Sequence, residues 1–304
     1  MAQAGHGIVR AQRRGALLFV AGLLIVASLV LTASAAAELT GNFTRFASCP
    51  YKNPEASKCI LATTVGGEVV LGSRKVPIVN QAVLQGAVTS PGKSGFSKFI
   101  AATNGETLST APQPVPGGLA GIAAPEGSSS LVKAVVALFS ENALTRVSAT
   151  LELARPVSEI RFNEANLAGE LGTALRLPLK IHLENPLLGP SCYVGSSSSP
   201  IYWNLTSGKT SPPAPSKPIT GTVGEAEFLE EGSLLEAKGT TLVDNAWEAP
   251  LASGCGGFLS SLINPIVNSS GGLPVAAGKN VAVLDNSAFI TAAAALKINN
   301  GEKP

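Results

Sequence analysis

The distribution of apolar and polar residues along the chain is that of a β-rich protein. Apolar and polar positions alternate over residues 146–154, where Val147, Ala149, Leu151 and Leu153 would share one face of a strand. Further strand-like segments are 67–71, 76–88, 157–162, 174–183, 201–205 and 288–298. Gly and Pro punctuate the segments between them, as turn residues do. The pattern predicts a mainly β fold, an antiparallel β-sandwich or a barrel-like relative, with one or two short helices.

Helical spacing is scarce. It occurs over residues 257–267, where Pro265 is expected to end the helix early, and over residues 165–175. The Ala-rich run 291–297 fits either a helix or a strand.

The N-terminus has the three parts of an export signal. Three arginines among the first 14 residues precede an uncharged stretch, 15–37, and the motif Ala-Ser-Ala ending at Ala35 supplies small residues for a signal peptidase. The sequence therefore predicts a signal helix over residues 1–35, with cleavage after Ala35 and, as second choice, after Ala37. The alternative is an uncleaved anchor, because the apolar run is long enough to span a bilayer.

Charge and composition limit the partners of the exported part, residues 36–304. Export removes three of 22 basic residues and none of the 20 acidic ones, which leaves a net charge of −1 (19 minus 20). A near-neutral surface predicts no nucleic-acid partner, and membrane attachment is expected only if the N-terminal segment stays uncleaved. If the exported part contains two β units, the boundary falls within the Pro- and Gly-rich residues 110–130.

All four cysteines, Cys49, Cys59, Cys192 and Cys255, lie in the exported part. An even number in an oxidising compartment predicts two disulfides, for which three connectivities exist. The favoured connectivity pairs Cys49 with Cys59 in a short local loop and Cys192 with Cys255 across distant segments. The alternative, a metal site, lacks any CxxC spacing.

Few catalytic arrangements are open to a chain so poor in histidine and aspartate. The exported part has one histidine, His182, and two aspartates, Asp244 and Asp285. A metal site built on several histidines is therefore excluded, and no metal or other cofactor is expected. A Ser–His–Asp hydrolase would have to use His182, but no G-x-S-x-G motif occurs, and the alternation around His182 places it on the outward face of a strand.

The aromatic pair Tyr202-Trp203 is the candidate binding site. In a strand beside the serine-rich residues 195–200, the two rings could form a small platform for a sugar. The alternative is that Trp203 packs in the core while Tyr202 faces outward. A glycosidase would need only two carboxylates, and the chain has glutamates to supply them.

Four segments carry a resemblance to known sequences. They are CPYKNPEASKC at 49–59, LENPLLGPSCYVGSSSSPI at 183–201, LTSGKTSPPAPSKPITG at 205–221 and VDNAWEAPLASGCGG at 243–257. In these segments the chain resembles secreted proteins of actinobacteria, the high-GC Gram-positive bacteria. The resemblance implies export, an actinobacterial host and a shared β-rich fold. It implies no activity, so no catalytic residue follows from it.

The leading hypothesis is an exported protein, extracellular or associated with the cell envelope, with a non-enzymatic binding or structural role. Its expected partner is a cell-wall glycan or another envelope protein. The alternatives are a secreted carbohydrate-binding or carbohydrate-active protein and a hydrolase dependent on His182.

Overall fold

Strands dominate the computed structural model of this chain. The residues that it describes are 38–119, 121, 127, 129–130, 133–134 and 144–303. The predicted signal helix over residues 1–35 and both cleavage positions lie outside them. Within the described ranges, no helix combines the length and the apolar character needed to cross a membrane.

Fifteen strands are described, and they pair antiparallel in one hydrogen-bonded network. In chain order, strands β1 to β15 are Lys58–Leu71, Arg74–Pro77, Ala82–Val88, Ser97–Ala101, Leu108–Thr110, Gln113–Val115, Val147–Leu153, Arg161–Phe162, Leu175–Glu184, Tyr193–Val194, Ile201–Leu205, Glu225–Leu229, Leu234–Asp244, Ala252–Ser253 and Val281–Ala292. The predicted mainly β, sandwich-like fold is confirmed.

The network has two halves that face each other. The first sheet has the order β12-β13-β15-β1-β3, with β2 and β5 on its margins, and the second sheet is built around β9, which pairs with β7, β8, β10 and β11. Strand β4 pairs with β3 of the first sheet and with β8 of the second, and so joins them. The described residues between 38 and 303 belong to one compact unit, and β4 and β8, from either side of residues 110–130, pair directly.

Three short α-helices are described: α1, Glu164–Gly169; α2, Ser260–Gly271; and α3, Ala293–Asn299. The described 3-10 helices are Gly41–Phe46, Val157–Glu159, Glu230–Gly232 and Gly257–Leu259. Asn163 begins α1 by accepting a hydrogen bond from the Asn166 N–H.

Several predicted boundaries are wrong. The predicted strand 157–162 is a 3-10 helix, Val157–Glu159, followed by the two-residue β8, the predicted helix 165–175 ends at Gly169, and the predicted strand 76–88 is interrupted between β2 and β3.

Helix α2 continues six residues beyond Pro265, to a left-handed Gly272, because the Asn268 amide bonds both backbone groups of Ala252 and holds the second half of the helix in place. The predicted strand 288–298 ends at Ala292 and α3 begins at Ala293, so that the helical interpretation of the Ala-rich run 291–297 is the correct one from Ala293 onward.

The main core lies between the sheets. It includes Ile60 and Leu84 from the first sheet and Leu179, Ile181 and Trp203 from the second, all buried. The alternation of β9, with Leu177, Leu179 and Ile181 buried, is as the sequence predicts.

A second, smaller core covers the outer face of the first sheet. Phe43, Phe46, Leu234 and Leu296 pack there against the disulfide between Cys49 and Cys59. The other disulfide joins Cys192 and Cys255, and the favoured connectivity is thus confirmed. All four cysteines are buried.

On the side away from β15, a bulge in β1 gives this long strand two successive partners. Its register shifts between Thr64 and Gly66; the residues before the shift pair with β3 and those after it with β2. Gly67 follows the shift at φ +114°, and a Cβ there would lie 2.0 Å from the Val283 carbonyl oxygen. The bulge therefore carries the β1–β2 hairpin away from β3 to the margin of the sheet.

Candidate ligand-binding cavity

Two adjacent cavities lie between the sheets. The larger one has a volume of about 220 Å³ and is lined by both sheets and by α1. The smaller one has a volume of about 100 Å³ and is lined by β1, β2, β6, β7, β9 and α2. Ile78, Gln113 and Leu151 line both cavities and mark where the two meet.

The larger cavity exists because small side chains meet in one row across the first sheet. Ala226, Ala237, Ala288 and Ala62 are successive cross-strand partners on β12, β13, β15 and β1, and Leu84 on β3 ends the row. All five line the cavity. Since cross-strand partners point to the same face, four methyl groups stand where a filled core would have larger side chains.

The larger cavity reaches the surface. Three of its lining residues, Ala111, Ala168 on α1 and Ala226 on β12, are exposed, whereas Trp203 and Leu205 on β11 are buried at its far wall. A ligand could therefore enter between α1 and the edge strand β12.

Most polar side chains on the cavity walls are bonded within the protein. The pairs are Thr64 with Asn286, Thr110 with the Leu151 carbonyl, Glu164 with Lys58, Thr240 with the Val223 carbonyl and Ser270 with the Val267 carbonyl. Among the described wall residues, the exceptions are the Arg74 guanidinium and the Trp203 indole N–H. The walls thus offer a guest hydrocarbon surface and few free polar groups.

Gln113 shows how completely a polar wall residue is satisfied. Its Oε1 accepts hydrogen bonds from the N–H groups of Val79 and Asn80, at 2.9 and 3.0 Å. Its Nε2 donates to the carbonyls of Asn80 and Ala111, at 2.7 and 3.1 Å. The side chain therefore serves the fold and leaves no donor or acceptor for a ligand.

A void of this size is expensive for a small protein. At about 24 cal/mol per Å³ of empty apolar cavity, an enclosed void of this volume would cost roughly 5 kcal/mol, which is an upper bound for a cavity that opens to the surface. Whole domains are stable by only about 5–15 kcal/mol. A guest that fills the space would recover much of that cost, which makes the cavity the candidate functional site.

The structure separates Tyr202 from Trp203. Neighbouring residues of a strand face opposite sides. Trp203 is 1% exposed in the core, with its ring edge-on to Trp247 at 5.8 Å between centroids. Tyr202 lies on the other face, where the Arg176 guanidinium covers its ring at 4.3 Å. The pair cannot form the sugar platform considered from the sequence, and Trp203 instead lines the larger cavity.

His182 lies on the outer face of β9, as its alternation predicts. Its ring stacks on Tyr193, and its Nε2 is 3.1 Å from the Pro190 carbonyl, to which it donates when protonated there. Its Nδ1 is 3.5 Å from a Glu152 oxygen and 3.4 Å from a Glu184 oxygen. None of these neighbours is a serine or cysteine, and all four cysteines form disulfides.

The two aspartates hold strands and loops together. Asp285 accepts a hydrogen bond from the Thr241 hydroxyl. Asp244, which is buried, accepts the N–H groups of Asn204 on β11 and Ala246 at 2.7 and 2.8 Å, and so ties the two sheets. Neither carboxylate is a partner of His182. Within the described ranges, no group of three or more His, Cys, Asp or Glu side chains could hold a metal ion.

Asp244 gives the stability a predictable pH dependence. Burial raises the pKa of its carboxyl, although the N–H groups of Ala246 and Asn204 oppose the shift. Because the folded-state pKa lies above the unfolded one, this carboxyl's contribution to stability is full below the unfolded pKa. It is lost as the pH rises through the raised folded-state value.

Relative to Asp244→Asn, which does not titrate, the wild-type free energy of unfolding is expected to fall as the pH rises from about 3 and then to level off. Urea unfolding of both proteins at each pH measures the difference, in which the contributions of all other groups cancel. A difference that stays flat or rises with pH would contradict the prediction.

Comparisons of this chain with family models, curated proteins and solved structures returned no match.

Proposed function

We propose that this is an exported, non-enzymatic binding protein of the cell envelope, whose ligand is an amphiphile with a hydrocarbon chain that occupies the cavities between the sheets. The observation that carries the proposal is the larger cavity, whose alanine row leaves apolar space unfilled. Ligand sites of this kind are concave, mostly apolar and already formed before binding.

Two further observations support the proposal. Two buried disulfides suit a protein that works in an oxidising compartment, as the signal-like N-terminus predicts. The bonded polar groups on the walls leave hydrocarbon as the surface that a ligand meets, so a chain of methylenes is a better guest than a sugar.

A series of fatty acids of increasing chain length tests the proposal. Each buried methylene contributes about 0.8 kcal/mol, so the affinity should rise roughly fourfold per added carbon until the cavities are full, and then stop rising. Isothermal titration calorimetry below the critical micelle concentration measures this dependence. Affinity independent of chain length, or absence of binding throughout the series, would overturn the proposal.

The fluorescence of Trp203 can locate the bound acyl chain within the protein. Bromine on an acyl chain quenches nearby indoles, and Trp203 lines the larger cavity whereas Trp247 lies behind it. Brominated fatty acid should therefore quench the fluorescence of Trp247→Phe, which keeps Trp203, more strongly than that of Trp203→Phe. Equal quenching of the two variants would place the chain elsewhere.

A further inference from the structure

Arg74 stands at the rim of the smaller cavity. It is the first residue of β2 and pairs with Leu71 across the β1–β2 hairpin. Its side chain is half-buried and lines the smaller cavity. Both Nη atoms pack against Gly121, where an added Cβ would lie 2.4 Å from each of them. The guanidinium is thus confined between the cavity and a glycine that leaves room for it.

No group in the described part of the chain pairs with this guanidinium. It has no hydrogen bond and no ion pair there, whereas the next residue, Lys75, forms an ion pair with Glu68 at 2.8 Å. A guanidinium that burial has partly stripped of water is costly unless an anion or several acceptors replace that water. Burial accordingly lowers the pKa of Arg74.

The nearby end of α2 does not use Arg74 either. A helix C-terminus attracts cations through its free carbonyl groups. Here the Ser73 N–H and hydroxyl bond the carbonyls of Gly271 and Ser270, at 3.1 and 2.9 Å. The N–H groups of Gly272 and Leu273 donate hydrogen bonds to carbonyls in the last turn of α2. The helix end is therefore already satisfied, and the Arg74 donors are left over.

We infer that Arg74 binds the anionic headgroup of the amphiphile, a carboxylate or a phosphate, while the attached chain enters the smaller cavity and continues into the larger one where the two cavities share lining residues. This inference rests on the proposed function and adds the class of headgroup. The planar fork of arginine donates two parallel hydrogen bonds to either anion, and both are stronger beside a low-dielectric cavity. The apolar wall then determines which acyl chains bind, and Arg74 determines which headgroups bind.

The test compares ligands that share one chain length. These are a saturated fatty acid, the corresponding fatty alcohol and the corresponding lysophosphatidic acid, each titrated against wild type, Arg74→Gln, Arg74→Lys and the matched control Lys75→Gln. Inorganic phosphate and acetate, titrated alone, report whether the anion suffices without a chain. Unfolding midpoints of all variants show whether they are folded.

Arg74→Gln should weaken binding of the fatty acid and of lysophosphatidic acid by roughly ten- to a hundredfold, and binding of the alcohol by less than about twofold. Arg74→Lys should lose part of this affinity, and Lys75→Gln almost none. The amphiphile whose affinity falls more in Arg74→Gln carries the headgroup that Arg74 binds more strongly. Inorganic phosphate and acetate should bind far more weakly than either amphiphile.

Three results would overturn the inference. Equal losses for acid and alcohol in Arg74→Gln would make Arg74 a structural residue, and no loss for either would make it a bystander. Phosphate or acetate alone binding as tightly as the amphiphiles would make the site a simple anion site. The proposed function fails on a different result, absence of binding of acid and alcohol alike to the wild type.

Discussion

Replacing Ala288 by leucine is expected to stabilise the ligand-free protein and to weaken the binding of acyl chains at least tenfold. Ala288 is the centre of the alanine row, with Ala62 on one side and Ala237 on the other. Three added carbons would fill space that the wild type leaves empty. The expected gain in the free energy of unfolding is roughly 1–2 kcal/mol after the entropy of ordering the new side chain.

This substitution is informative because its expected effects on stability and on ligand binding have opposite signs. An ordinary core substitution that harms binding also lowers stability, because both depend on the same packing. A variant that is more stable and binds less shows instead that the wild type keeps the space open for a guest. Urea unfolding without ligand and calorimetric titration with a fatty acid measure the two effects on the same preparation.

Ala101→Leu is the matched control. Ala101 is an exposed alanine on β4, so the same chemical change there should alter the free energy of unfolding by less than about 0.5 kcal/mol and leave binding unchanged. A loss of more than about 1 kcal/mol in Ala288→Leu would mean that the row is already closely packed. That result would contradict the interpretation of the cavity as a ligand site.

Where apolar and polar residues alternate clearly, the sequence was a good guide to the fold. Residues 146–154 and 174–183 match β7 and β9 within a residue or so at each end, and 201–205 matches β11. The long strand β13 was missed, because Gly239 and neighbouring Lys and Thr residues break its apolar pattern. The end of β15 was missed because four successive alanines carry neither a two-residue nor a helical period.

The cavity is invisible to sequence reasoning for a different reason. Ala62, Ala237 and Ala288 come from strands far apart in the chain, and only the strand register brings them into one row. A void forms where several small side chains lie side by side in the fold. A single alanine in the sequence gives no indication of it. Arg74 gave no signal either, since its lack of a partner among the described residues depends on the fold around it.

The two adjacent aromatic residues of β11 do not form one surface. Tyr202 and Trp203 are adjacent in sequence, but a strand sends them to opposite faces, so a shared platform could form only if the strand twisted or bulged at that point. Trp203 does belong to the candidate site, as part of a wall that an apolar chain would touch.

Removing the disulfide between Cys192 and Cys255 is expected to cost the most stability of any change considered. The bridge spans 63 residues, and in the chain-entropy model a loop of that length contributes roughly 4 kcal/mol. The bridge between Cys49 and Cys59 spans 10 residues and contributes about 3 kcal/mol on the same basis. Guanidinium unfolding of the two double-alanine variants measures both losses.

The longer bridge also supports the smaller cavity. Cys255 donates its N–H to the Asn264 side chain in α2, and the same helix contributes Val267, Ser270 and Gly271 to the cavity wall. Loss of the bridge should therefore weaken fatty-acid binding as well as stability, whereas loss of the shorter bridge, in the core on the outer face of the first sheet, should lower stability and leave binding nearly unchanged. Equal effects of the two variants on binding would show that α2 is held by its other contacts, and the wall of the smaller cavity would not depend on the bridge.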